Sequence, residues 1–209
     1  MKYWLILSLA LGLLTGCPPT VNDDDDSGDD DDSTEEVEFR VWSDEFLTDE
    51  GITHQYDCDQ ALPPEHSCGS ENPAISWEGV PEGTVSLALI FDDVSFNEYP
   101  HWAIFNIPAD ATGLDADISG DGSSGSPPDG AVELFNGFDF EGYVGSCPGG
   151  TNHYRWRLWA LDTELDGPTF TALNNDPRAA YSALADAADD ARIERVEMCH
   201  VFDGAAIGR

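Results

Sequence analysis

Two adjacent acids, Asp92 and Asp93, close a nearly continuous apolar run (85–91, VSLALIF), and His101 follows just before a second apolar run (102–107, WAIFNI). If these runs are neighbouring strands, a carboxylate and an imidazole meet at one edge of a sheet. A carboxylate beside a histidine fixes the imidazole tautomer and favours its cation. Such a pair orients a phosphate or acts as general acid and base. Several other mechanisms are missing from the sequence: it has no P-loop, no GxGxxG after a strand, no HExxH and no GxSxG. Residues 115–121 (DADISGD) resemble the start of a calcium loop, but Ser126 stands at the twelfth position, where a bidentate Glu is needed. Those acids are expected to be solvated surface groups. His54, His66 and His153 are isolated, and His200 lies in the last strand. Ser95 and Ser146 are near the motifs but have no evident activating base.

Strands must position these groups. Residues 39–42 alternate in polarity, 74–77 form a short second candidate, and 85–91 suit a strand buried on both faces. Residues 102–107 and 154–161 (YRWRLWAL) are further strands, and 112–130 is a loop rich in Gly, Asp, Ser and Pro. One helix is predicted at about 177–191. Asp176 caps it, Pro177 occupies its first position, and Tyr181, Leu184, Ala185 and Ala188 form its buried face. A late helix on a run of strands gives a mainly β domain.

The N-terminus reads as an export signal. Met1–Lys2 precede twelve apolar residues, 3–14, too few for a spanning helix but suited to a signal peptide. Leu14-Thr15-Gly16-Cys17 matches a bacterial lipobox. The match implies cleavage before Cys17 and lipidation of that residue, as in a palmitate-bearing lipoprotein. The organisation expected is a signal peptide (1–16), a lipidated Cys17 with an acidic disordered spacer (17–37), and one folded domain (38–209). Pro18, rather than Asp, after the cysteine favours the outer membrane of a bacterial envelope, on its periplasmic or surface face.

The 209 residues carry 42 acids against eight Lys and Arg, a formal charge of −34. Ten of those acids lie in 23–36, and from residue 37 onward 32 acids still face only seven arginines. So negative a chain repels phosphate backbones, which argues against nucleic acid as a partner. Beyond Cys17 the cysteines are Cys58, Cys68, Cys147 and Cys199, an even number that suits disulfides in an oxidising compartment. Three connectivities are open, and the favoured one joins Cys58 to Cys68 and Cys147 to Cys199. Paired CxxC spacing, the usual sign of a zinc site, is absent.

Five collinear segments carry a family resemblance. Residues 72–84 (NPAISWEGVPEGT) resemble the NPALSWxGVPxGT stretch of the phosphatidylethanolamine-binding protein family, and the likeness continues through 86–93. Residues 101–108 (HWAIFNIP) resemble its HWxxxNIP. Asn136-Gly137-Phe138 with 142–148 (GYVGSCP) resemble its NxxGxxGYxGPCPP loop, and 154–162 its YxFxLYALD strand. Together they cover about 39–209, and the chain resembles the bacterial YbhB/YbcL-like branch. The resemblance implies a β-sandwich around a large central antiparallel sheet, with a smaller sheet, a few peripheral helices and an anion pocket at one end.

Carried over position by position, the implied pocket comprises Asp93, His101, Tyr143, Gly145, Ser146, Cys147, Pro148 and Tyr154. Val94 and Ser95 depart from the family's DPD motif, and Ser146 replaces the first proline of GPCPP. Asn152 aligns with a family histidine and His153 with its arginine, so either the pocket has lost a histidine or His153 replaces it after a backbone adjustment. Loop N–H groups are expected to hold an anion without lysine.

The implied function is a lipid-anchored extracytoplasmic binding protein for a small anionic or zwitterionic ligand, such as a phosphoethanolamine headgroup, with no cofactor and no metal. Its membrane contact is the lipid anchor, and no protein partner is indicated. The alternatives are a protease-inhibitor-like or other interaction module and, behind it, a hydrolase using His101 and Asp93.

Overall fold

A computed structural model describes residues 37–46, 69 and 71–203. The expected signal peptide, Cys17, the acidic spacer, His54, His66, Cys58 and Cys68 lie outside the described residues. Among the described residues, eight strands form two antiparallel sheets. The smaller has the order β1 (Arg40–Trp42), β2 (Ile75–Glu78), β5 (Gly113–Leu114). The larger has the order β6 (Val132–Glu133), β4 (Tyr99–Pro108), β3 (Ser86–Asp93), β7 (Thr151–Leu161), β8 (Arg192–Asp203). Two helices, α1 (Gly167–Thr171) and α2 (Pro177–Asp190), precede β8. This is the mainly β, two-sheet architecture expected from the sequence.

The layering follows from which face each side chain takes. Every residue of β3 is buried, because the strand is covered on both sides. Leu87, Leu89 and Phe91 join Trp102, Trp156 and Met198 under the small sheet, which contributes Val41, Ile75 and Trp77. Ala88 and Ile90 face the other way, against Tyr181, Leu184 and Ala188 of α2. Asp176 caps α2 as expected, accepting from the Ala179 N–H at 3.2 Å. Ala180 is fully buried on the helix face, while Ala185 is only half-buried.

Strand β8 is the longest, at twelve residues. The sequence reading placed a last strand around His200 without its extent. Its alternation puts Val196, Met198, His200 and Phe202 inward. Exposed Arg192, Glu194, Arg195 and Glu197 mask that pattern, and they leave the edge strand lined with charge.

One irregularity positions the chemistry. Along the β3–β4 ladder Phe91 pairs with Trp102, but Asp92 pairs with Pro100 and Asp93 with Tyr99. His101 is therefore the extra residue of a β-bulge. In a regular strand adjacent residues point to opposite faces. The bulge lets His101 face the same side as Trp102, where it meets Phe91 at 5.1 Å and Tyr154 at 5.3 Å between ring centres.

Candidate functional site

Strands β3, β4 and β7 place Asp93, His101 and Tyr154 at one end of the large sheet, where a cavity of about 550 Å³ opens. Its lining is Asp93, Phe96, Tyr99, His101, Asn152 and Tyr154, with Gly69, Phe138, Val144, Gly145, Cys147 and Pro148 from the surrounding loops. The expected meeting of carboxylate and imidazole takes place here. Only Asp93 enters it: strand alternation sends Asp92 to the opposite face, where Arg155 and Arg157 each approach its Oδ2, at 3.1 and 2.5 Å.

Asp93 is 4% exposed and accepts two hydrogen bonds, from the Phe96 backbone N–H at 3.1 Å and from Asn152 Nδ2 at 2.6 Å. The first caps a short 3-10 turn, Val94–Phe96. Asn97 (φ 56°) and Glu98 (φ 52°) follow, two successive left-handed residues that reverse the chain into β4. Phe96 and Tyr99 flank that reversal, and both reach the cavity.

His101 is 4% exposed. Its Nδ1 lies 2.9 Å from the Val144 carbonyl oxygen, which can only accept, so Nδ1 carries the proton and Nε2 the lone pair. Burial pushes its pKa below the ordinary value, against the opposing pull of the Val144 carbonyl and of Asp93 and Asp92. This corrects the expectation from sequence: desolvation outweighs the carboxylate and favours neutral imidazole, and a loop carbonyl rather than Asp93 sets the tautomer. The Tyr154 hydroxyl keeps its proton firmly, because burial and the neighbouring Asp93 both raise its pKa.

The remaining expected residues divide in two. Gly145, Cys147, Pro148 and Asn152 line the cavity. Tyr143 is fully buried and stacks on Phe91, a core residue rather than a lining one. Ser146 is also fully buried, its Oγ 3.3 Å from His200 Nε2. His153 alternates away from Asn152 and Tyr154, is exposed, and donates its backbone N–H to Ser95 Oγ. Asn152 thus holds the position beside Asp93, and His153 does not replace a histidine there.

Cys147 sits exposed on the cavity rim, whereas Cys199 pairs with Arg155 on the outward face of β8. The sequence reading missed Phe96, Tyr99, Phe138 and Val144. Each sits within or beside a recognised motif, but only the chain reversal at 97–98 and the 134–145 loop bring their side chains together.

The sequence profile described as phosphatidylethanolamine-binding protein matches residues 42–202. The chain belongs to this family. A UPF0098 protein of Methanothermobacter thermautotrophicus is 43% identical over 119 residues, covering 54% of this chain and 77% of that one. UPF0098 protein YbcL of Escherichia coli is 34% identical over 143 residues, covering 63% and 73% respectively. The putative lipoprotein LppC of Mycobacterium tuberculosis is 34% identical over 114 residues, about half of each chain. The crystal structure of Escherichia coli YbcL superposes with a TM-score of 0.61 at 27% identity, covering 80% of this chain and 99% of the other. None of the cavity's described lining residues is Lys or Arg.

Proposed function

We propose that the chain is a lipid-anchored extracytoplasmic binding protein whose cavity receives a small zwitterionic, phosphate-containing headgroup. The observation that carries this reading is the cavity itself: an aromatic-walled hollow in which Asp93, His101, Asn152 and Tyr154 converge. A concave, largely apolar site with a few convergent polar groups is the usual form of a small-ligand site. The Cys17 lipobox supports the anchor, and the relative named as a putative lipoprotein agrees with an envelope location. Disulfides among Cys58, Cys68, Cys147 and Cys199 would suit the oxidising compartment of an exported chain.

Binding rather than turnover fits the arrangement. Ser146 and His200 have the residue types of a nucleophile and its base, but both are fully buried. Ser95 Oγ is engaged by the His153 N–H. Among the described residues, Asp93 and His101 are thus without an activated serine in the cavity.

The test is native mass spectrometry of the lipidated protein purified from its own membrane, beside His101→Ala and Asn152→Ala. The reading predicts a small retained headgroup compound that both variants lose while their melting transitions stay cooperative. Equal retention by folded variants would contradict it.

A further inference from the structure

A second hollow, of about 320 Å³, opens on the helix side of the large sheet. Asp92 of β3, Glu98 of the chain reversal, Arg157 of β7, and Arg178, Tyr181 and Asp186 of α2 all line it. The scarce positive charge of the chain collects here. Arg157 and Arg178 are in the lining, and Arg155 pairs with Asp92 and Glu98 at 3.1 and 2.8 Å. Arg192 and Arg195 pair with Asp189, another lining residue, at 2.9 and 3.5 Å. Five of the seven arginines in a strongly acidic chain thus surround one hollow.

Its polar groups are not matched to one another. Among the described residues, four buried side-chain atoms have no hydrogen-bond partner: Asp92 Oδ1, Arg155 Nε, Arg157 Nε and the Tyr181 hydroxyl. All four belong to this cluster. Asp92 offers both guanidiniums the same oxygen, Oδ2, which leaves Oδ1 unspent. Tyr181 is 4% exposed, and burial holds its hydroxyl in the protonated, donating form. Arg178 is fixed at the rim by the Asn97 and Phe96 carbonyls, at 2.5 and 3.4 Å. A buried polar atom without a partner costs stability, and folds rarely keep several together unless something else bonds to them.

The unspent atoms specify that something. Three of them donate, which suits a carboxylate held by guanidinium and hydroxyl groups. The fourth, Asp92 Oδ1, accepts and carries charge, and with the exposed Asp186 on the same lining it suits an ammonium. We propose that this hollow is a second binding site, for a free amino acid whose carboxylate meets Arg157 and Tyr181 and whose ammonium meets Asp92 Oδ1. It is separate from the headgroup cavity, and Asp93 and His101 take no part in it.

The experiment is isothermal titration of the full chain, dialysed exhaustively in an uncharged maltoside detergent, with L-alanine, acetate and methylammonium. L-Alanine is expected to bind. Acetate and methylammonium are each expected to bind at least about tenfold more weakly, because each leaves part of the buried set unpaired. Tyr181→Phe removes the hydroxyl alone. Without ligand, its melting temperature should equal or exceed that of wild type, since this hydroxyl has no bond to lose. Its affinity for L-alanine should fall about tenfold. Asp186→Asn, at an exposed position, should also weaken L-alanine. Absence of L-alanine binding, acetate binding as tight as that of L-alanine, or undiminished L-alanine affinity in Tyr181→Phe overturns the proposal. A lowered melting temperature of ligand-free Tyr181→Phe also overturns it, because the hydroxyl would then have a partner within the fold.

Discussion

His101 and Val144 are bonded to each other twice. The Val144 N–H donates to the His101 carbonyl at 3.0 Å, and His101 Nδ1–H donates to the Val144 carbonyl at 2.9 Å. This double link joins the bulged strand β4 to the 134–145 loop and sets the ring's tautomer. Because burial lowers the His101 pKa, the imidazole is expected to be neutral with its proton on Nδ1 at pH 7. Long-range nitrogen NMR across a pH series checks this, and should place the titration midpoint below 6.5. A cation persisting at neutral pH would contradict this assignment.

His200 makes acid stability a second test. It is fully buried, Trp156 Nε1 donates to its Nδ1 at 3.1 Å, and burial lowers its pKa to about 3. Its unfolded pKa is near 6.5. Above that value neither state is protonated, and the full stabilisation is present. As pH falls from about 6.5 towards 3, the unfolded chain takes up a proton that the folded chain refuses, so stability falls by ~1.4 kcal/mol per pH unit for this group. Urea melts of His200→Gln should show a shallower decline across that window. An unchanged slope would mean the ring is not held neutral.

The two neighbouring acids separate stability from binding. Asp92, 1% exposed at its side chain, is the shared partner of Arg155 and Arg157 on the helix side of the sheet. Asp92→Asn leaves Arg157 without its carboxylate and Arg155 with Glu98 alone, and should cost about 3 kcal/mol in denaturant melts. Ligand affinity of the folded variant should be unchanged, since Asp93 alone faces the cavity.

A glycine fixes the aromatic wall. A Cβ at Gly137 would lie 2.3 Å from Tyr99 Cε1, and the Tyr99 hydroxyl donates to the Gly137 carbonyl. Gly137→Ala must displace the ring, at a cost of about 1–3 kcal/mol for the overpacked contact. Titration calorimetry should show weaker headgroup binding than wild type, and tight binding in that variant would remove Tyr99 from the site.

The two-sheet fold was legible because its strands carry uneven patterns: the 85–91 run marks a strand buried on both faces, and Pro177 after Asp176 marks the start of a helix. Asp93, His101, Asn152 and Tyr154 were legible because motif order locates them. The protonation state of His101 was not, since it depends on a carbonyl 43 residues away in the chain. His153 looked equivalent to Asn152 in sequence, and only strand alternation separates them. Phe138 reaches the cavity through a loop conformation that no periodicity encodes.

The central claim is that the cavity at the end of β3, β4 and β7 receives a headgroup. Its most direct measurement follows the imidazole signals of His101 and the side-chain amide of Asn152 by NMR as phosphoethanolamine is added. The account predicts saturable shifts of both, abolished in Asp93→Asn. Static His101 and Asn152 signals at millimolar phosphoethanolamine would contradict it.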